Sequence, residues 1–356
     1  MKSFKERIDL FWRLFLEEEA SLRESLENEE NFQGARQHIE ELIDNTFSTR
    51  NCEIGFNKST NKWELMLTPE GDKARLFALS YWKEEAPSQL LEHWTFYEMR
   101  KPMANAENFK LHMYDTVLEV RDVLLYPSLE EGRVNLRVYS EKLNELDEAE
   151  AYLMLYIFMQ QFIGEAYDMA YIGEVEIVPN LEIEEALLLT ELKAYIEDMI
   201  EEGYVPVYGD LCEVFTAYEL LPSKERRCPL REDIYEGKNA LMALVHEYYT
   251  NKVGVLDEGQ QLGITYGFIF FNTENMSKES ALSVRNRLED QLIKASREKH
   301  FVRYIGGATG LFNSYIDCIV YDMIEFTSYM EQLIEKYGFE HLSFKLFRPG
   351  GKEITF

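Results

Sequence analysis

The sequence predicts an α+β protein of two domains, and three observations support this prediction. The chain of 356 residues is 46% hydrophobic and 13% aromatic, which is enough apolar material for about two packed cores. Helical spacing of apolar residues alternates along the chain with short runs of period-two alternation. The last segment follows the order β-α-β-β-α-β of a ferredoxin-like sandwich. We therefore predict an N-terminal α+β domain over 1–180, an acidic connector helix over 181–202 and a C-terminal domain over 203–356.

The N-terminal domain begins with an amphipathic helix and continues with the order β-β-α-β twice. The apolar stripe of the opening helix consists of Phe4, Ile8, Phe11, Phe15 and Leu22. The first repeat pairs CEIGF with KWELMLT as a hairpin, followed by a helix over 72–85 and the strand WTFYEMR. The second repeat pairs DTVLEVRDVLLY with RVNLRVYS, followed by a buried helix over 147–166 and the strand YIGEVEIVP. This doubled pattern predicts one sheet covered by two helices.

The predicted connector helix over 181–202 lies in the most acidic part of the chain. Its apolar stripe consists of Leu188, Leu192, Ile196 and Met199. The net charge of the protein is −28, and between 143 and 223 Lys193 is the only base among 19 acids. Such a field repels nucleic acid and anionic membranes and favours a basic protein partner. The alternative is an acidic face that serves only solubility.

The C-terminal domain contains the clearest pattern, over 263–356. GITYGFIFFN is a predicted strand, and Ser277 begins a helix that runs to about His300. FVRYIGGATG and SYIDCIVYD are the next two strands. The helix MIEFTSYMEQLIEKYG ends at Gly338, where a left-handed cap residue is expected, and HLSFKLFRP is the last strand.

A resemblance accompanies this module. The run GFIFFN, RNRLEDQL, YIGGATG and SYIDCIVYD resembles uncharacterised bacterial domains of unknown function, and it is more distantly similar to the ferredoxin-like regulator that inhibits ribonuclease E, inhibitor protein B. The resemblance implies a ferredoxin-like fold over 263–356. It also implies that the protein acts by binding an enzyme, although the acidic residues of this chain lie outside the module.

Three glycines in this module, Gly306, Gly307 and Gly310, raise the question of a phosphate-binding loop. Such loops lead from a strand into a helix, whose free N–H groups face the anion. Here the glycines lead into another strand, and the spacing fits neither GK[ST] nor GxGxxG. We predict a glycine hairpin with a bulge and no cofactor. A ligand or partner surface at the same place is the alternative.

The third strand of the module predicts a binding face. Residues at even positions from Ile316 to Val320 are expected to face the helices, which turns Tyr315, Asp317 and Tyr321 to the other side of the sheet. Arg303 of the neighbouring strand joins them. Aromatic rings beside a carboxylate and a guanidinium predict a ligand or partner face on an open sheet. The alternatives are that the rest of the chain covers this face, or that a second copy does so in a homodimer.

The sequence contains no pattern of catalytic or metal-binding residues. The six histidines lie in different predicted elements, and neither GxSxG nor HExxH occurs. The four cysteines form no metal-binding spacing, so we expect reduced thiols, with a disulfide between Cys212 and Cys228 left open. No secretory signal and no apolar run of about 20 residues is evident, which predicts a cytoplasmic protein without a membrane span.

Together these features predict a non-catalytic binding or regulatory protein that acts through protein contact, of inhibitor or immunity type. The alternative is a sensor or enzyme for small ligands with a pocket near Arg303, Tyr315 and Asp317.

Overall fold

The computed structural model describes residues 2–28, 31–49, 51–181, 185–339 and 341–356. The fold is mixed α+β, as the sequence predicts, and it forms two compact units. Unit 1 combines Met1–Trp63, Lys73–Thr95 and Cys212–Phe356. Unit 2 combines Glu64–Asp72 and Phe96–Leu211.

The helices and strands below are numbered in chain order. The helices are α1 (Phe4–Glu27), α2 (Phe32–Phe47), α3 (Lys73–Glu84), α4 (Glu141–Asn144), α5 (Glu148–Tyr171), α6 (Leu189–Glu201), α7 (Met242–Thr250), α8 (Gly254–Leu262), α9 (Lys278–Lys299) and α10 (Met323–Tyr337). The strands are β1 (Cys52–Asn57), β2 (Lys62–Leu67), β3 (Trp94–Tyr97), β4 (Lys110–Met113), β5 (Thr116–Glu119), β6 (Leu124–Glu130), β7 (Arg133–Tyr139), β8 (Ile172–Ile177), β9 (Leu187–Leu188), β10 (Thr216–Glu219), β11 (Ile234–Asn239), β12 (Thr265–Asn272), β13 (Val302–Gly310), β14 (Asn313–Val320), β15 (Ser343–Leu346) and β16 (Glu353–Thr355).

The centre of unit 1 is the predicted ferredoxin-like sandwich. Its strands lie in the order β13-β14-β12-β15 with antiparallel pairing throughout. Helices α9 and α10 share one core with the sheet, through side chains that include Leu288, Leu292, Phe326 and Met330. Strands β10 and β11 extend the sheet beyond β13, and β16 extends it beyond β15, which gives seven strands.

Short polar residues fix the ends of the two sandwich helices. The Ser277 hydroxyl accepts a hydrogen bond from the Ser280 backbone N–H at 3.1 Å and caps α9, as predicted. The Asp322 carboxylate accepts from the N–H groups of Ile324 and Glu325 and caps α10. Gly338 follows α10 with φ 64°, the left-handed conformation that the sequence predicts.

The glycines of β13 lie inside the strand, and the bulge predicted there is present. The pairing register with β14 shifts between Tyr304 and Gly306. Gly306 has φ 142°, a conformation that side chains rarely adopt, and a Cβ at this position would collide with the Lys238 carbonyl oxygen of β11. A Cβ at Gly310 would likewise collide with the Asp233 carboxylate. These glycines therefore permit close packing between three strands, and the turn of the hairpin follows them.

The start of α1 packs on the sheet face opposite α9 and α10. The Phe4 N–H donates to the Gly263 carbonyl at 3.2 Å, and the Lys5 N–H donates to the Tyr321 carbonyl at 3.2 Å. The ring of Phe4 lies 5.7 Å from the ring of Tyr321, and Tyr81 of α3 lies 4.2 Å from it. The chain itself therefore covers this end of the sheet.

The helices α1, α2 and α3 form a second part of the core of unit 1. The rings of Trp12 and Trp82 stack at 5.1 Å, and the Trp12 Nε1–H donates to the Trp82 carbonyl at 2.8 Å. Phe11 contacts both rings. The sequence prediction omitted α2, although Ile39, Ile43 and the neighbouring buried residues follow helical spacing.

The two predicted β-β-α-β orders are present, but they form separate sheets. The first contributes β1-β2-β3, and the second contributes β8-β7-β6-β9. The prediction of one common sheet was therefore wrong. The predicted strand DTVLEVRDVLLY is divided, because Thr116–Glu119 pairs with β4 as β5, and β6 begins at Leu124 and continues through most of the predicted turn to Glu130. In the second sheet β7 and β8 are parallel, and α4 and α5 make the crossover between them. Helix α6 packs on α5 within unit 2 and begins at Leu189, later than predicted, while 182–184 lie outside the described residues. Leu188 belongs to β9 instead.

Helix α5 is interrupted near its C-terminal end. Gly164 has φ 76°, and the chain resumes helical geometry as far as Tyr171, so the predicted end at 166 is five residues early. The interruption aims the buried carboxylate of Glu165 at three backbone and side-chain donors. The Glu165 carboxylate accepts hydrogen bonds from the Thr68 hydroxyl at 2.8 Å, the Gly71 N–H at 3.1 Å and the Arg100 N–H at 3.0 Å. A buried carboxylate bonded in this way fixes the break in the helix.

The compact units divide the chain differently from the domains predicted at 1–180 and 203–356. Helices α1 to α3 cluster with the C-terminal half, because their aromatic faces pack there, as the contacts of Phe4 and Tyr81 with Tyr321 illustrate.

We expect Gly306→Ala to lower the free energy of unfolding by about 2 kcal/mol or more, because the new Cβ meets a backbone carbonyl at a backbone angle that strains non-glycine residues. Urea unfolding monitored by circular dichroism measures this change. Gly34→Ala is the matched control, since no atom lies within 4 Å of that Cβ position in α2. Equal stability of the two variants would contradict the packing role of Gly306.

Candidate functional site

The structure places the four residues of the predicted binding face in two separate groups; three of them are buried and Arg303 is partly buried. The alternation along β14 is as predicted: Ile316 joins the core under α9 and α10, while Tyr315 and Asp317 lie on the other side. Tyr315, Asp317 and Tyr321 are nevertheless buried, because loops and helices of unit 1 close this face. The prediction of an open face was wrong, and the alternative of cover by the rest of the chain applies.

Arg303 and Tyr321 lie together under α3. The Arg303 guanidinium donates to the Glu84 carboxylate at 3.2 Å and to the Ser80 hydroxyl at 3.4 Å. Its carbon lies 5.6 Å from the centre of the Phe77 ring. The Tyr321 hydroxyl donates to the Phe77 carbonyl at 3.4 Å. These contacts attach α3 to the sheet.

Tyr315 and Asp317 belong to a buried network around Arg231. Arg231 is fully buried, and its Nη1 donates to Asp317 Oδ1 at 2.6 Å. The Arg231 Nη2 donates to Asp317 Oδ2 at 3.3 Å, which makes the pair bidentate, and to the Tyr218 hydroxyl at 3.1 Å. The Asn239 side chain donates to Asp317 Oδ2 at 2.8 Å. Both carboxylate oxygens of Asp317 are therefore occupied by intramolecular donors.

Aromatic rings surround the Arg231 guanidinium. Its carbon lies 4.4 Å from the Phe347 ring centre, 5.0 Å from Phe268, 5.4 Å from Tyr315 and 5.7 Å from Tyr248. Planar guanidinium groups stack well on aromatic rings, which offsets part of the cost of burying the charge. Burial alone would lower the pKa of Arg231, but the Asp317 charge outweighs it and raises that pKa. The arginine is permanently charged and held between rings.

A second carboxylate, Asp233, fixes the loop that carries Arg231. Its Oδ2 accepts from the backbone N–H groups of Phe312 and Asn313 at 2.9 Å, and its Oδ1 accepts from the Tyr315 hydroxyl at 2.5 Å. Arg231 itself has φ 71°, and its N–H donates to the Tyr315 hydroxyl at 2.9 Å. The strained backbone of Arg231 is thus held by its own N–H bond to Tyr315 and by the hydrogen bonds of Asp233, two residues later.

The raised pKa values in this network keep its tyrosines neutral and its arginine charged and paired. Burial raises the pKa of Tyr218 to about 12, against an opposing effect of the Arg231 charge. Burial also raises the pKa of Tyr315, and the Asp233 charge adds to the shift. The thiols of the protein follow the same rule: burial raises the pKa of Cys52, on the separate strand β1, to about 11, and it raises the pKa of Cys228 and Cys318 as well. This is the opposite of an activated nucleophile. The arrangement is structural: it holds polar groups and presents no free acid or base.

The described residues include neither a metal-binding cluster nor a membrane-spanning helix. They contain no cluster of three or more His, Cys, Asp or Glu side chains that could hold a metal ion. No helix in the described ranges combines the length and hydropathy that crossing a bilayer requires. All four cysteines, including Cys212 and Cys228, are free thiols.

An exposed acidic surface of unit 2 is the second candidate. We call Asp198, Glu201, Glu202, Tyr204 and Val207 the acidic corner. The three carboxylates are exposed at the C-terminal end of α6, and within the described part of the chain none of them has a cationic partner. Tyr204 is 62% exposed and Val207 is 78% exposed.

The backbone after α6 holds the acidic corner in place. Gly203 has φ 79°, and the N–H groups of Tyr204 and Val205 donate to the Met199 carbonyl at 3.0 and 3.2 Å. Val205 is buried, whereas its neighbours on both sides are exposed. Farther along, the Tyr208 ring stacks on Tyr171 at 5.6 Å.

Sequence reasoning found the acidic segment but missed Arg231 and the two exposed apolar residues. Arg231 lies in RRCPLRED, which has no periodic pattern, and an arginine in a polar loop is ordinarily exposed. Tyr204 and Val207 follow a predicted helix in a short turn-rich segment. The sequence did contain an indication of these two residues: Tyr204 and Val207 are bulky residues that flank Val205 and Pro206 in an otherwise acidic segment.

We expect Asp317→Ala to lower the free energy of unfolding by about 3–5 kcal/mol, because it leaves the buried Arg231 charge without its partner. The double variant Arg231→Met/Asp317→Ala should lose clearly less than the sum of the two single variants, as measured by urea unfolding. Arg226→Gln, which breaks an exposed ion pair with Glu274, is the control and should leave the midpoint almost unchanged. Additive losses would show that the pair is not coupled.

We expect stability to fall as pH rises through about 10 to about 12. The folded protein holds the proton of Tyr218 up to a pKa of about 12, whereas the unfolded chain releases it near 10.0. Below the unfolded pKa the stabilisation is complete, and it is lost as pH rises toward the folded pKa. Urea midpoints across this range measure the effect. Burial also raises the pKa of other tyrosines, such as Tyr304 and Tyr315, so Tyr218→Phe should make the fall shallower without abolishing it. An unchanged slope would contradict the shift at Tyr218.

A search of protein-family models, curated proteins and solved structures finds no match to this chain. The function is therefore inferred below from the exposure, contacts and charge of the described residues.

Proposed function

We propose that this protein is a non-catalytic binding protein whose acidic corner engages a basic segment of another protein, in the manner of an inhibitor or immunity-type regulator. The observation that carries the proposal is the combination of unpaired carboxylates with two strongly exposed apolar side chains, Tyr204 and Val207, at one end of one helix. Surface acids alone serve solubility, but bulky apolar groups exposed among them favour a binding surface.

The position of the carboxylates supports a role other than helix stability. The C-terminal end of a helix carries partial negative charge, so acidic residues there are unfavourable and basic ones favourable. Helix α6 has no basic residue in its last turn. The single base of this helix is Lys193. Its Nζ lies 3.7 Å from Glu197 Oε1 and 5.1 Å from the centre of the Tyr167 ring, so it pairs with Glu197 and not with the acidic corner. The charge at Asp198, Glu201 and Glu202 is thus available to a partner.

The shape of the corner supports a surface that needs little ordering on binding. Val205 anchors the segment in the core of unit 2, and Pro206 restricts the backbone between the exposed Tyr204 and Val207. A preformed surface loses less conformational entropy when a partner binds. Tyrosine is also enriched among residues that dominate binding energy, because its ring has few rotatable bonds and a polar tip.

The sign of the charge selects the class of partner. Exposed carboxylates attract lysine and arginine side chains over a distance set by the ionic strength, and they repel polyanions. A basic protein segment with one or two apolar residues fits both properties of the corner. Such binding should be fast and sensitive to salt.

The enzyme or sensor alternative at Arg303, Tyr315 and Asp317 has less support. The polar groups of these residues are occupied by intramolecular partners such as Glu84, Asp233 and Arg231. A substrate would have to displace a buried ion pair to reach them.

A photo-crosslinker in place of Val207 should capture a protein from native lysate through a lysine- or arginine-rich peptide, identified by mass spectrometry. The captured protein, once purified, should bind about tenfold more weakly to Asp198→Asn/Glu201→Gln/Glu202→Gln in fluorescence anisotropy, because three attractive charges are lost. Raising the salt from about 0.1 M to about 1 M, which shortens the Debye length from about 10 Å to about 3 Å, should abolish the difference.

The matched control is Glu174→Gln/Glu176→Gln/Glu185→Gln, which removes the same charge from exposed positions elsewhere in unit 2. It should bind like the unmodified protein. Equal weakening in both triple variants would point to net charge alone, and capture through peptides without basic residues would overturn the proposal.

A further inference from the structure

A cavity between α1 and α2 has a composition that differs from the rest of the chain. Its volume is about 490 Å³, within the range of small-molecule sites. One wall is an apolar stripe of α1, from Leu10 through Phe11 to Leu14, and Leu42 of α2 faces it. The basic residues Lys2 and Arg7 complete the lining at the N-terminal end of α1. None of the residues that line the cavity is acidic, although the protein has 65 acidic residues against 37 basic ones.

The two basic side chains are available for a ligand. On α1, Lys5 is paired with Asp9 at 3.0 Å and Arg23 with Glu19 at 2.8 Å, one turn away in each case. Arg13 has no ion pair within the described residues, but it is exposed and does not line the cavity. Within the described residues neither Lys2 nor Arg7 forms an ion pair. In a chain with net charge −28, two unpaired cations beside an apolar cavity form a local site of opposite sign.

The walls of the cavity are firm. Phe11 is buried and contacts the rings of Trp12, Phe15 and Trp82, so the floor of the cavity belongs to the aromatic core of unit 1. On the α2 side, the Thr46 hydroxyl donates to the Leu42 carbonyl at 2.9 Å and is not free to fill the space. A ligand would therefore enter a formed cavity and meet apolar surface inside and positive charge at one end.

We propose that this cavity binds an anionic amphiphile, a molecule with a single alkyl chain and a carboxylate or phosphate head. The chain would lie against Leu10, Leu14 and Leu42, and the head would contact Lys2 and Arg7. A neutral lipid would leave the cations unused, and a polar anion without a chain would leave the apolar wall in contact with water. This site lies in unit 1 and is independent of the acidic corner.

Isothermal titration of the purified full chain with dodecanoate, at concentrations below micelle formation, tests the proposal. Methyl dodecanoate is the neutral probe of the same chain, and dodecyl phosphate distinguishes the two head groups. We expect binding of dodecanoate or dodecyl phosphate at least about tenfold tighter than that of the methyl ester, because only a charged head pairs with both cations. Shortening the chain to decanoate and octanoate should weaken binding about fourfold per methylene removed.

Variants separate the head contact from the tail contact. Lys2→Gln/Arg7→Gln should weaken binding of the charged probes about tenfold and leave the methyl ester unaffected. Leu14→Trp should weaken all probes by filling the cavity. Arg13→Gln removes an exposed charge from α1 away from the cavity and should change nothing. The urea midpoint of each variant is measured in parallel, because the cations also lie near the C-terminal end of α2, and this measurement separates an effect on helix stability from an effect on binding.

The proposal is overturned if no charged probe binds, if the methyl ester binds as tightly as dodecanoate, or if the double glutamine variant binds like the unmodified protein. Binding that does not depend on chain length would also overturn it, because the apolar wall would then have no role.

Discussion

The architecture of unit 1 depends on one buried ion pair, between Arg231 of the loop before β11 and Asp317 of β14. A ferredoxin-like sheet has one face under its helices, and the second face must be covered or exposed to solvent. Here a charged residue closes that face, and it is tolerated because Asp317 pairs with it in a bidentate manner, Asn239 also donates to Asp317 Oδ2, and aromatic rings surround the guanidinium. Such pairs contribute little net stability compared with apolar residues, but they penalise every arrangement that separates them. The pair thus selects one position for the loop on the sheet.

The sequence predicted the sandwich well because its information is local. Alternation in β12 to β14, the serine cap at Ser277 and the glycine at Gly338 each act within a few residues. The glycines of β13 were also interpretable, since their spacing excludes a phosphate loop. Three features could not be predicted from the sequence, because each depends on packing between distant segments. The separation of the N-terminal strands into two sheets depends on tertiary packing, the burial of Arg231 depends on a partner 86 residues away, and the cover of Tyr315 depends on the same loop. Hydrophobic periodicity identifies which side of a strand a residue takes but does not tell what packs on that side.

The two proposed binding surfaces use opposite charges for different purposes. In the proposals above, the acidic corner at α6 would attract a basic protein through unpaired carboxylates and two apolar side chains. The cavity between α1 and α2 would hold an anionic head through two cations in an acidic chain. The carboxylates of Asp317 and Glu165, by contrast, each accept several intramolecular hydrogen bonds and hold the fold. Burial and bonding distinguish these two classes: groups with saturated hydrogen bonds support structure, and charged groups without partners are available for recognition.

The order of the chain has a consequence for its synthesis. Unit 1 is completed by residues from both ends of the sequence, with Glu64–Asp72 and Phe96–Leu211 of unit 2 made in between. When the ribosome has produced α1 to α3, strand β14 and the Tyr321 that follows it do not yet exist. The aromatic surfaces around Phe4 and Tyr81 therefore stay uncovered while the intervening residues of unit 2 are translated. Holdase chaperones recognise such surfaces, and a chain arrested before β14 would expose them permanently.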